Sequence, residues 1–242
     1  MNISTLSRKR HALLFIIGFL CIIGASIFVT MHSTKAEHTK SDPTTTTTAK
    51  QINTKSKKED TPQQVVKASK NYKIERENIE NQITGQELDK HLKGNLKGLG
   101  QDFVKSGEEQ NIDPVFLAAL AAQETGWGDS DLADAPWNNI GGITCMPDIY
   151  ENIFGENYPN PGCEELVKGG TKWQKFNSIE DSIRFKAIYL KEYYVENGKE
   201  TIGEIQTTYA PNQAKNDQSG LNNNWVKNIV SIMNDVKVNQ TL

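Results

Sequence analysis

Twenty consecutive residues without a charge, Ala12 to Met31, stand near the front of this chain and divide it into unlike parts. A helix of that length rises about 30 Å, the thickness of a bilayer's hydrocarbon core. Arg8, Lys9, Arg10 and His11 precede the run. Positive charge on that side predicts a cytoplasmic tail, residues 1–11, and sends the later part of the chain outside the cell. The run exceeds the apolar core of a cleaved signal peptide, so residues 12–31 read as an uncleaved membrane anchor. Thr34-Lys35-Ala36 offers a cleavage site for a secreted form. Cys21, inside the run, reads as a membrane-buried thiol.

The next segment, residues 32–70, has few large apolar side chains. Pro43 is followed by Thr44 to Thr48, then by Lys50, Lys55, Lys57 and Lys58. Such a composition cannot bury enough surface to offset its ordering entropy, which predicts a disordered tether. Residues 1–70 carry 11 basic against 4 acidic side chains, and residues 71–242 carry 16 against 26. An acidic body without an arginine cluster argues against nucleic acid as the partner. Its length suffices for one well-buried core. The four histidines are His11, His32, His38 and His91, and no Cys pair has metal-ribbon spacing, so neither a metal site nor a cofactor is expected.

Residues 71–99 read as a weakly helical lead-in, with helical pieces near 75–83 and 86–92. A helix near 101–110 turns Phe103 and Val104 inward. Asp113 and Pro114 are a good N-cap and a good first helical residue, and Gly126 is a natural C-cap. Between them lies an alanine-rich helix. Ser178 opens another helix, whose inner face is Ile183, Ala187, Leu190 and Tyr194, and Asn197-Gly198 closes it. A short helix is expected over 201–207. A final one near 223–237 aligns Trp225, Ile229, Ile232, Met233 and Val236. Residues 143–177 differ from all of this. They hold three prolines, two cysteines and Gly169-Gly170, and 164–168 with 171–176 form a candidate hairpin. The expected fold is therefore α+β, mainly α, with a small inserted β-lobe at about 143–177.

Leu117, Leu120, Ala121 and Glu124 stand at i, i+3, i+4 and i+7, which puts a carboxyl on an apolar helix face. Burial and the negative end of the helix dipole both disfavour ionisation there. A carboxylic acid that keeps its proton is what protonation of a leaving-group oxygen requires. On spacing alone, a carboxylate turned outward at a frayed helix end fits as well.

Gln123-Glu124-Thr125-Gly126-Trp127-Gly128, with Asn138-Asn139-Ile140-Gly141-Gly142-Ile143 after it, resembles the bacterial glucosaminidase family of wall autolysins and flagellar peptidoglycan hydrolases. Gly141 stands where that family usually has Phe. Trp173 to Phe176 with Ser178 to Ile183, then Tyr209-Ala210-Pro211 with Asn222 to Val226, resemble its later landmarks. The resemblance spans about residues 100–236. It implies a lysozyme-like helical domain over 100–242, carried by the transmembrane helix and the linker. It implies an endo-β-N-acetylglucosaminidase acting on peptidoglycan glycan strands, with Glu124 as general acid.

A second carboxylate is best matched by Glu165, with Glu164 its near competitor on the opposite strand face and Asp148, Glu151 and Glu156 behind them. A base that activates water would stand roughly 6.5–9.5 Å from the acid and invert the anomeric centre. Tyr209 matches a tyrosine bordering the cleft, which could orient the sugar or stabilise positive charge. Asn139 and Trp173 are the expected substrate contacts, and each serves equally well as a structural residue. Cys145 and Cys163 are expected to pair, a bridge that is not general in the family. A lytic transglycosylase using the same Glu124, and a catalytically weak wall-binding or secretion-assembly module, are the competing functions.

Overall fold

Asp113 and Gly126 delimit the helix around which the remainder is assembled. The structure, a computed structural model, describes residues 67–75, 83–215, 217 and 220–238. The expected anchor at 12–31, nearly all of the tether and most of the helical piece near 75–83 lie outside the described residues. Among the described residues, no helix is long and apolar enough to cross a membrane.

In chain order the elements are α1 (Gly85–Asp89), α2 (Gly100–Gln110), α3 (Pro114–Thr125), α4 (Pro147–Phe154), β1 (Cys163–Glu165), β2 (Lys172–Gln174), α5 (Ile179–Tyr193), α6 (Ile202–Tyr209) and α7 (Trp225–Val238). Helix α3 is buried along nearly its whole length, from Pro114 to Ala122, and packs against α2, α5 and α7. Its four small alanines let those neighbours come close. Helix α3 is therefore apolar on every side. The spacing of Glu124 behind Leu117 and Leu120 marks depth in the protein rather than one chosen face.

The caps behave as the sequence indicates. The Asp113 carboxylate accepts from the Val115 amide at 2.8 Å, and Gly126 takes the left-handed conformation at φ 59°. Ser178 accepts from the Asp181 amide at 3.2 Å at the start of α5. Asp113 has a second task, since its other oxygen accepts from the Tyr72 hydroxyl at 2.6 Å. That bond ties the lead-in to the central helix. Within residues 67–75 the chain turns at 70–71, with Tyr72 donating to the Ser69 carbonyl, and Ile74 then donates to the Glu200 carbonyl and accepts from the Asp113 amide. Leu88, Leu92 and Leu96 complete the lead-in's share of the core. Asp113→Ala removes both side-chain bonds, so a destabilisation of about 2–3 kcal/mol is expected, read from the urea midpoint. A midpoint unchanged by this substitution would show that neither bond contributes.

The lobe at 143–177 departs from expectation in one respect. Helix α4 occupies its first part. Pro147 starts this helix and Tyr150, Ile153 and Phe154 fall at i, i+3 and i+4 toward the core. That helical period was legible, but the prolines and cysteines around it suggested strand and turn. The hairpin itself is present and shorter than expected. β1 and β2 pair antiparallel with Glu164 opposite Trp173. Thr144 forms a bridge on the other side of β2, also opposite Trp173. The Cys145–Cys163 disulfide, with 5.5 Å between Cα atoms, joins the two segments that flank β2.

Candidate active site

Glu124 sits in the last turn of α3, and the residues after it explain why the helix stops there. The Thr125 hydroxyl donates back to the Ala121 carbonyl at 2.7 Å and accepts from the Gly128 amide at 2.8 Å. The chain then turns through three left-handed residues, Gly126, Trp127 and Gly128. A Cβ at Gly128 would crowd Asn95 Cβ at 3.0 Å and the backbone of Asn95 and Leu96 at 3.1–3.2 Å, and its φ of 83° favours glycine. Trp127 is half-buried and lies under the Lys93 ammonium, 5.0 Å from the ring centroid. The Glu-Thr-Gly-Trp-Gly run is thus a helix stop that leaves the Glu124 side chain half-buried at a fixed height.

Two other segments meet that carboxyl. The first residue of α7, Trp225, donates its indole N–H to Glu124 Oε1 at 3.1 Å. On the other side, Gly142 turns with φ 60°, and a Cβ there would lie 3.2 Å from Glu124 Oε2. One carboxyl oxygen accepts from an indole, and the other lies on the Gly142 side. The Glu124 carboxyl also bears on Tyr194. Burial first, then neighbouring Tyr189, then Glu124 raise the Tyr194 phenol above its ordinary range, so it stays neutral.

The glycine turn is anchored by Asn139, which is fully buried. Its side-chain oxygen accepts from the Ile143 amide at 2.9 Å, and its nitrogen donates to the carbonyls of Ile143 and Gln174 at 2.8 and 2.9 Å. Ile140 donates to the Ser182 hydroxyl of α5 at 3.1 Å. The expected substrate contact of Asn139 has no exposed atom to act through. Its amide is spent fastening the turn to β2. Trp173 is likewise buried in the lobe rather than offering a face to a sugar.

Tyr209 closes α6 and is fully buried. Its ring lies between Tyr194 and Trp225, with centroids at 6.0 and 5.4 Å. Its oxygen accepts from the Lys186 ammonium at 2.7 Å and its hydroxyl reaches the Gly141 carbonyl at 3.3 Å. The structure therefore places Tyr209 behind Trp225, with no surface for a direct sugar contact. The adjoining Tyr-Ala-Pro turn is clamped by Asn222, which donates to the Pro211 carbonyl at 3.0 Å.

Of the acids in the lobe, Glu165 is half-buried and accepts from the Gly169 amide at 2.8 Å, while exposed Glu164 pairs with Lys175 at 3.0 Å. The alternation along β1 separates the two as expected. Asp148 and Glu151 are exposed on α4, and Glu156 is exposed after it. Among the described residues, no group of acidic, histidine or cysteine side chains could hold a metal ion.

Sequence reasoning missed Trp225 as a site residue and missed Lys186 altogether. Trp225 lies in the Asn222-to-Val226 landmark and on an apolar stripe, and neither marks it as the partner of Glu124. Lys186 did carry a signal. It lies three residues after Ile183 and four before Leu190, which puts a lysine on the buried face of an amphipathic helix.

A central helix that ends in a held carboxyl, ringed by helices and flanked by a hairpin lobe, makes a mainly helical α+β domain. Residues 100–238 match the family of mannosyl-glycoprotein endo-beta-N-acetylglucosaminidases. The chain belongs to that glucosaminidase family. Over 118 residues it is 30% identical to the bifunctional autolysin of Staphylococcus aureus, covering 47% of this chain and 9% of the relative, so it spans under a tenth of that protein's length. Among solved structures it is similar to S. aureus Autolysin E in complex with the muropeptide NAM-L-ALA-D-iGLU. That likeness has a TM-score of 0.47 at 21% identity, covering 73% of this chain and 75% of the other. It is also similar to the catalytic domain of the autolysin Auto from Listeria monocytogenes, with a TM-score of 0.39 at 19% identity, covering 68% and 91% of the two chains.

Proposed function

We propose that this protein cleaves β-1,4 glycosidic bonds of peptidoglycan on the N-acetylglucosamine side, with Glu124 as the general acid. The reading is carried by the place of the Glu124 carboxyl, at the end of the central helix with Oε1 accepting from the Trp225 indole. Oε2, on the Gly142 side, is then the oxygen from which the acid gives up its proton. A glycosidic oxygen entering there receives that proton as its bond to the anomeric carbon breaks. Family membership and the autolysin relative support the substrate class.

Glu165 is our assignment for the second carboxylate. It activates the water that attacks the anomeric carbon, and the product is inverted if the two acids stand apart as a water-activating pair does. Glu165→Gln is then expected to lower kcat by about a hundredfold, as loss of a general base does, while Glu164→Gln leaves it near wild type. Equal rates for Glu165→Gln and Glu164→Gln would remove this assignment.

The same reading places the domain outside the cell, held to the membrane by residues 12–31 through the tether at 32–70. The deciding experiment is digestion of purified peptidoglycan by the full chain, then borohydride reduction and mass analysis. Reduced N-acetylglucosamine ends are the expected product. Anhydro-muramyl ends would instead assign a lytic transglycosylase, and no released fragments a binding module.

A further inference from the structure

Lys186 is the least expected side chain in the core: a lysine on α5 with 4% of its surface exposed. Taking an ammonium out of water is costly, so a buried lysine needs strong partners. Its Nζ donates to the Tyr209 oxygen at 2.7 Å and stands 4.7 Å from the centroid of the same ring. The Tyr189 ring is 6.0 Å away. Because the ammonium supplies the donor to Tyr209, the Tyr209 proton is left to point at the Gly141 carbonyl, 3.3 Å distant.

In its present position the end of this lysine packs against Gly141. A Cβ at Gly141 would lie 2.5 Å from Lys186 Cε and 3.2 Å from Nζ. The remaining cavity beside Gly141 and Lys186, against Leu117 and Leu120, is about 10 Å³, room for one water at most.

From Lys186 the contacts run in one direction. Lys186 holds the Tyr209 hydroxyl, the Tyr209 ring packs on Trp225 at 5.4 Å, and Trp225 holds Glu124 Oε1. Through Gly141 the same tyrosine also steadies the turn whose next residue, Gly142, lies against Glu124 Oε2. The geometry points to Lys186 as a positioning residue of the hydrolase. Its ammonium locks Tyr209, and Tyr209 fixes both sides of the Glu124 carboxyl. This inference rests on the function proposed above for Glu124, though its structural half can be read without any activity.

The test uses the full-length chain with its four tryptophans labelled at the indole nitrogen, Trp225 being assigned by its loss in Trp225→Phe. Lys186→Met keeps the length of the side chain and removes the ammonium. Tyr209→Phe removes one oxygen. In each, the Trp225 indole signal is expected to move by more than its linewidth while those of Trp127, Trp137 and Trp173 hold. On peptidoglycan, kcat should fall roughly ten- to hundredfold, the size of a sub-ångström to ångström misplacement, with KM little changed. The double variant should lose no more than the worse single one, because both break the same contact. Should Lys186→Met fail to fold, Tyr209→Phe decides alone. An unmoved Trp225 signal overturns the inference, as does a moved signal with wild-type kcat. All four signals shifting together with a lowered Tm would reduce Lys186 to a packing residue. If the wild-type chain releases no sugar ends, it is the hydrolase reading that falls, and the Trp225 signal still reports whether Lys186 positions Glu124.

Discussion

Glu124→Gln should abolish cleavage while leaving the protein folded, with a loss of at least about a hundredfold and up to ten-thousandfold, the range of general acid catalysis. The substitution is unusually clean at this position. A glutamine carbonyl can still accept from the Trp225 indole, so the contact between α3 and α7 survives. What the amide cannot do is surrender a proton to a leaving oxygen. Rate and stability therefore separate: sugar-end release falls, while the thermal midpoint stays near wild type. Cleavage at the wild-type rate would exclude the acid role. A parallel collapse of stability would show instead that the carboxylate itself holds α3 to α7.

The second large effect concerns the disulfide. Cys145 and Cys163 enclose 17 residues, and a loop of that size is worth on the order of 3 kcal/mol when closed in the unfolded chain. Replacing both cysteines by serine should lower Tm by roughly 6–12 °C for a domain of this size. The lobe should nonetheless keep its form in the folded protein. Cys145 donates to the Lys172 carbonyl and Gln174 donates to the Ile143 carbonyl, so backbone bonds hold the flanking segment to β2 without the bridge. Activity below the new Tm is expected to persist, since the Asn139 bonds that fasten the glycine turn involve neither sulfur. A Tm unchanged by reductant would remove the bridge from the account of stability. A loss of activity well below Tm would make it part of the site.

The legible parts of this protein were those written in local chemistry. Asp113-Pro114 and Gly126 marked the central helix to the residue, because capping depends on groups within one turn of each other. The inner faces of α5 and α7 came from their spacing, and Glu124 stood out as a carboxyl behind leucines. The lobe was less legible. Tyr150, Ile153 and Phe154 carry a helical period in α4, but over eight residues that signal competes with prolines, cysteines and a glycine pair that argue for turns. The lead-in was harder still. Its first residues, 71–75, are held by hydrogen bonds to Glu200 and Asp113, partners that lie far away in sequence.

The roles within the site divide along the same line. By itself the sequence determined that a carboxyl ends a buried helix, that glycines come after it at 126, 128, 141 and 142, and that two cysteines frame a lobe. Only the tertiary structure decided what those residues face. It turned Asn139 and Trp173 inward, set Tyr209 behind Trp225, and brought α7 to the carboxyl from 101 positions further along the chain. The reason is physical: periodicity reports which way a side chain points from its own element. The partner it meets there depends on how separate elements pack, and no local pattern encodes that contact.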